Sequence, residues 1–189
     1  MEIILIIAFV VFVPCIYVLT QFNGLVSLKN HINDAWANID TELKRRHDLI
    51  PNLVSTVKGY AKHEKEVLQR VVELRQQCIK NANSHSTERT GAESELGSAL
   101  ERLLVTVESY PDLKADRNFL QLQHELANTE NRIQAARRFY NGNIRDYRTK
   151  CQSFPSNMVA AIFGFESRDY FEAEKDEREV VEIGFDQAK

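Results

Sequence analysis

Apolar residues open the chain almost without interruption. From Ile3 to Leu19 there are 17 residues without a charge or an amide, and no formal charge stands between Glu2 and Lys29. As a helix rising ~1.5 Å per residue this run spans roughly 25 Å, and the uncharged continuation from Thr20 to Gly24 completes a ~30 Å hydrocarbon core. The pattern predicts a transmembrane anchor over residues 1–22, with Pro14 as a tolerated kink and Tyr17 and Phe22 at an interface. A cleaved signal peptide fits less well: Glu2 stands where basic residues are wanted, and the pair Ala35 and Ala37 that spells A-x-A lies far past the run. A lipoprotein signal ending at Cys15 has Pro14 in its cleavage context, and a buried core helix is the remaining alternative.

Beyond the anchor, apolar residues recur in steps of three and four, the signature of one buried helix face. The first run is Leu25, Leu28, Ile32, Trp36, Ile39 and Leu43; the second is Leu53, Val57, Tyr60, Glu64, Val67, Val71, Leu74 and Cys78. Glu64 falls in that seam, where a carboxylate must be paired or sit at a wet end. The third run, Leu96 to Tyr110, is preceded by Thr90 and Glu93 at capping-box spacing and stops at Pro111. The fourth follows Asp116, a good N-cap, and runs from Phe119 to Cys151, with Asn141-Gly142 as a weak spot. Asn83 to Ala92 reads as an exposed polar loop. At Asp48-Leu49-Ile50-Pro51 a capping Asp and a first-turn Pro favour a tight reversal over a kinked continuous helix.

The fold expected is therefore all-α: a transmembrane helix over 1–22, then an antiparallel four-helix bundle over 23–154. Residues 155–165 form a short apolar segment, either capping the open end of the bundle or lying in a membrane interface. Residues 166–189 form an acidic, mobile tail with nine acidic and four basic residues.

Length allows one such body: 189 residues, with only 7 Gly and 4 Pro, too few turn formers for a strand-rich fold. Lys+Arg 24 against Asp+Glu 27 gives a net charge of -3, so no global field draws in nucleic acid. Lys29, Lys44, Arg45 and Arg46 after the anchor favour a short outside N-terminus and a cytoplasmic body by the positive-inside rule.

Motifs for chemistry are incomplete. His63-Glu64 starts an H-E-x-x-H pattern that meets Val67, and His124-Glu125 meets Asn128. No Glu stands three residues before any of the 5 histidines, so neither a metal nor a cofactor is expected. Cys78 and Cys151 fall on seam positions as reduced thiols, and Cys15 lies in the anchor, so no disulfide framework is expected. The candidate partner surface is Lys44, Arg45, His47, Asp48, His63 and Glu64. Were His47, Asp48, His63 and Glu64 to converge in one cleft, a hydrolase-like centre would be the alternative reading. On the fourth helix, Arg137, Arg145 and Arg148 form a stripe pointing back towards the membrane, with Lys150 beside it. Arg145, Arg148 and Lys150 are the candidate headgroup contacts, and a regulator binding anionic lipid or nucleic acid through basic patches is a third class.

Several blocks carry a family likeness. Asn23-Gly24-Leu25-Val26, Asp34-Ala35-Trp36, Ile39-Asp40, the stretch Leu43 to Leu53 (LKRRHDLIPNL) and Val57-Lys58-Gly59-Tyr60-Ala61 resemble the LemA family. So do Glu108-Ser109-Tyr110-Pro111-Asp112-Leu113-Lys114, Thr129-Glu130-Asn131, Arg138-Phe139-Tyr140-Asn141 and Phe154-Pro155-Ser156-Asn157. The resemblance covers about residues 20 to 165. It implies an N-terminal transmembrane helix with a small extracellular N-terminus and an antiparallel helical bundle, and it implies no catalytic residues. The functional expectation is a non-catalytic scaffold or adaptor, anchored in the bilayer through residues 3–22, that binds an unidentified protein partner and self-associates through its exposed helix faces.

Overall fold

The apolar phase that starts at Leu25 runs unbroken through Leu43, Ile50, Leu53 and Val57, all essentially inaccessible to solvent, and the backbone follows it. In the computed structural model, which describes residues 1–61, 63–82 and 87–171, α1 is a single helix from Glu2 to Tyr60, 59 residues and roughly 88 Å long. Its N-terminal part is long and apolar enough to cross a membrane.

The tight reversal expected at Asp48-Pro51 is therefore not formed. Asp48 is exposed on a helical turn, and Pro51 lies inside α1. A proline there has no N–H for the carbonyl of His47, four residues back, which would be left without a partner. Arg75 supplies one: its Nε–H donates to the His47 carbonyl at 2.6 Å. Arg75 lies on α2 (Lys65–Lys80), the helix that follows the true reversal, which comes after α1 ends at Tyr60. The continuous apolar stripe and this replacement bond together outweigh the local turn signal. The reversal carries its own ties, for Tyr60 donates to Asp116 at 3.1 Å and Tyr110 donates to Glu64 at 2.9 Å. Glu64 is thus both paired and at the half-exposed outer end of the bundle.

The remaining helices are α3 (Thr87–Val107), α4 (Pro111–Lys114), α5 (Arg117–Gln152) and α6 (Ser156–Ile162). α3 starts earlier than the capping-box reading, so Thr90 and Glu93 lie within its first two turns and residues 87–92 are helix rather than loop; residues 83–86 of that expected loop lie outside the described residues. Asp116 caps α5 as its position suggests, accepting from the Phe119 N–H at 2.9 Å.

The core has two storeys. In the outer one, α1, α2, α3 and α5 meet around Ile50, Leu53, Val71, Leu74, Leu96, Leu103 and Phe119, with Leu113 of α4 closing the end. In the inner one, nearer the anchor, α1 pairs with α5: Leu25, Ile32, Ile39 and Leu43 face Ile133, Ile144 and Tyr147. The groove beside that pair is filled by Val159 and Ala160 of α6 and by Phe171. α6 ends in a Schellman motif, with Gly164 at φ 68° and the Phe165 N–H bonded to the Ala160 carbonyl at 2.9 Å. The chain then runs extended up the groove. Asn141 holds it with both ends of its amide: Nδ2 donates to the Phe171 carbonyl at 3.0 Å and Oδ1 accepts from the Phe171 N–H at 2.8 Å. Residues 166–171, expected as the start of a mobile tail, are therefore docked; residues 172–189 lie outside the described residues.

The Pro51–Arg75 account makes a specific prediction. Arg75→Ala strands a half-buried carbonyl and should cost about 1–3 kcal/mol of unfolding free energy. In a Pro51→Ala background, where an N–H is restored, the same substitution should cost clearly less. Denaturant unfolding of the four members of this cycle checks it, and additive effects would refute the pairing.

Candidate functional site

Continuity of α1 decides which charges of Lys44-Arg45-Arg46-His47-Asp48 are buried. Arg46 keeps phase with Leu43, Ile50 and Leu53, so it and His47 point inward, whereas Lys44, Arg45 and Asp48 face solvent. A buried guanidinium requires compensation. α3 provides it in Glu93, itself only 1% exposed. One terminal nitrogen of Arg46 donates to the Glu93 carboxylate and also to its backbone carbonyl at 3.2 Å; the other donates to Glu130 of α5 at 2.9 Å. His47 Nε2 lies 3.1 Å and 3.2 Å from the two Glu93 oxygens. One turn earlier on α3, buried Arg89 pairs with Asp40, donates to the Ala82 carbonyl at 2.7 Å and stacks 5.5 Å from the Trp36 ring. These groups form a polar layer between the two storeys that ties α1, α3 and α5 together.

Electrostatics within the layer follow from burial and pairing. Burial alone would raise the Glu93 carboxyl, but the hydrogen bond with His47 and the charge of Arg46 outweigh it, and the pKa lies below the ordinary value. Cys78 of α2 faces the same layer; burial first, then the Glu93 charge, push its thiol up to about 12. His47, Cys78 and Glu93 offer donor atoms within 4.8 Å of one another, a set of the types a soft divalent ion takes. In this geometry Arg46 already pairs with Glu93 and the thiol keeps its proton, so these donors are engaged within the protein.

The residues singled out from the sequence are dispersed. Lys44, Arg45 and Asp48 lie on the outer face of α1. His63 and Glu64 stand at the far reversal, and the rise from His47 to Tyr60 alone is roughly 20 Å. His47, Asp48, His63 and Glu64 therefore do not converge, and the hydrolase-like centre does not assemble, because more than three turns of continuous helix separate its halves. His63 instead borders an open groove of about 1030 Å³ between α1 and α2, lined by Val54, Lys58, Ala61, Leu68 and Val72. Arg46 pairs across the bundle with Glu93 and Glu130. Arg145 is exposed beside Asp146 at 3.4 Å, while Arg148 stacks 5.1 Å from the Tyr170 ring. Lys150 lies over Gly24, so closely that a Cβ there would overlap its ammonium. Arg137, placed on the same stripe, is buried against Phe171 at 4.7 Å. The buried residues missed include Arg89, which fell in the stretch read as a loop, and Glu93. The spacing of Glu93 from Leu96, Leu100 and Leu103 puts it in the seam, but the capping-box reading absorbed it.

Comparison with known proteins gives a consistent picture. A profile described as the LemA family matches residues 35–185. The chain is 29% identical over 156 residues to Protein LemA of Metamycoplasma hominis, covering 82% of this chain and 71% of that protein. It is 24% identical over 178 residues to magnetosome protein MamQ 2 of Paramagnetospirillum magneticum and 22% identical over 177 residues to magnetosome protein MamQ of Magnetospirillum gryphiswaldense. These alignments cover 82% and 81% of this chain, and it spans 65% of the length of each magnetosome relative.

The polar layer predicts a defined acid response. Because the folded pKa of Glu93 is depressed, its contribution is complete above the unfolded carboxylate value of about 4.3 and is lost as pH falls through the folded value. Glu93→Gln leaves the half-exposed Glu130 as the carboxylate opposite Arg46; it should cost about 1–3 kcal/mol at neutral pH and should flatten the acid limb of stability against pH. Unfolding of the detergent-solubilised full chain across that range measures both. Equal stability of the two proteins at neutral pH would contradict the assignment.

Proposed function

Taking as its premise that this chain belongs to the LemA family, we propose that it is a membrane-anchored, non-catalytic scaffold whose outer storey docks a protein partner. The observation that carries this reading is the unbroken α1. A single helix serves as both membrane span and bundle core, so the outer storey is held at a fixed standoff; from Phe22 to Tyr60 it rises roughly 57 Å. Two helices joined by a flexible linker would not transmit position in this way. The groove of Val54, Ala61, Leu68 and Val72 between α1 and α2, edged by Lys58, Lys65, His63 and Glu73, is the docking surface in this reading, an apolar floor with a polar rim. The body faces the cytoplasm. Support for that side comes from Lys29, Lys44, Arg45 and Arg46 on α1, and from Arg145, Arg148 and Lys150, which α5 returns to the anchor end.

Purification of the full chain in mild detergent tests the scaffold. A partner retained at fixed stoichiometry, and lost from Val72→Glu while the helical fold persists, is the expected result. A protein that purifies alone, or a partner indifferent to Val72→Glu and to a second charge at Val54, would overturn it. Orientation has a separate test. With Cys15, Cys78 and Cys151 replaced by alanine, a membrane-impermeant thiol reagent added to sealed vesicles should label Val105→Cys, an exposed position, only in inside-out preparations, and labelling only in right-side-out vesicles would reverse the assigned side.

A further inference from the structure

α6 and its flanks are uncharged from Phe154 to Phe165, and the helix is apolar on both sides. Val159 and Ala160 close the inner storey, while Met158 and Ile162, four residues apart on the other face, are 57% and 74% exposed. Phe154 at 81% and Phe163 at 50% extend that exposed surface. A folded body rarely leaves so many large apolar side chains clustered in water.

Depth along α1 says what covers them. Phe22 packs edge-on against Phe163 at 4.9 Å and against Phe165 at 5.6 Å, and Lys150 of the last α5 turn lies over Gly24. Phe22 is where a ~30 Å hydrocarbon core that begins at Ile3 ends. α6 is thus fastened beside the span at the depth where acyl chains meet headgroups, and its exposed face continues the apolar surface of the anchor.

We propose that α6 is an interfacial foot: Phe154, Met158, Ile162 and Phe163 insert into the bilayer boundary beside α1, so the body stands on two membrane contacts. Two contacts fix the tilt of α1, which one spanning helix leaves to rotate. The inference rests on membrane anchoring through α1 and adds a second, independent attachment.

The test uses the full chain in phosphatidylcholine vesicles, in a Trp36→Phe background so that one reporter remains. Ile162→Trp and, at the most exposed position, Phe154→Trp should give blue-shifted emission that loses most of its intensity to bromine-labelled acyl chains and little to acrylamide. Val105→Trp at the outer end should respond the opposite way. If the protein fails to incorporate into vesicles at all, the anchoring premise fails. If it incorporates and Val105→Trp behaves as expected, but both α6 reporters are quenched by acrylamide or shielded from both quenchers, the foot is in water or under protein and this proposal is overturned. Circular dichroism of each variant separates these outcomes from loss of fold.

Discussion

The architecture depends on one helix keeping its phase across a proline. Every buried side chain of α1, from Leu25 in the inner storey to Val57 in the outer, lies on a single stripe, so a break or a large kink at Pro51 would rotate one storey against the other. Proline removes the hydrogen bond that would hold that turn. The bond from Arg75 to the His47 carbonyl replaces it from a neighbouring helix, so the point where α1 is weakest is also where α2 is fastened to it.

Next to that point sits the polar layer. Arg46, Glu93, Glu130 and His47 contribute little stability that an apolar layer of equal volume would not. What they impose is position, because a buried ion pair is satisfied in one register and sharply penalised in others. That selectivity suits a bundle whose other contacts are interchangeable Leu and Ile packing. It also fixes where α3 begins against α1, and through Glu130 the sliding of α5, which returns the chain to the membrane end. Anchor, layer and outer groove are thereby held in one rigid sequence along α1.

Much of this was legible from residue spacing. The span, the helical class, the Asp116 cap and the four amphipathic runs follow from periodicity and capping chemistry, which are local. The misread features are those where a local signal competed with a distant one. Asp48 and Pro51 carry the residues of a turn, yet turn chemistry worth about 1 kcal/mol loses to a continuous buried stripe and to Arg75, 24 positions further on. Thr90 and Glu93 match a helix start, but Glu93 belongs to the seam, in phase with Leu96 and Leu100. The docked Glu166–Phe171 segment had no signal of its own, because its anchors, Asn141 and Trp36, lie on other helices. Cluster residues chosen by sequence proximity, such as His47 with His63, separated because sequence proximity along a continuous helix is distance in space.

The central claim is that anchor and outer storey share one uninterrupted helix. Spin labels at Lys29→Cys and Gly59→Cys, both exposed positions, in a background with Cys15, Cys78 and Cys151 replaced by alanine, would measure it directly by pulsed dipolar spectroscopy in bilayers. A continuous α1 predicts a narrow distribution near roughly 45 Å. A distribution centred near roughly 20 Å, the separation a reversal at Asp48-Pro51 would give on the same rise per residue, would contradict the account.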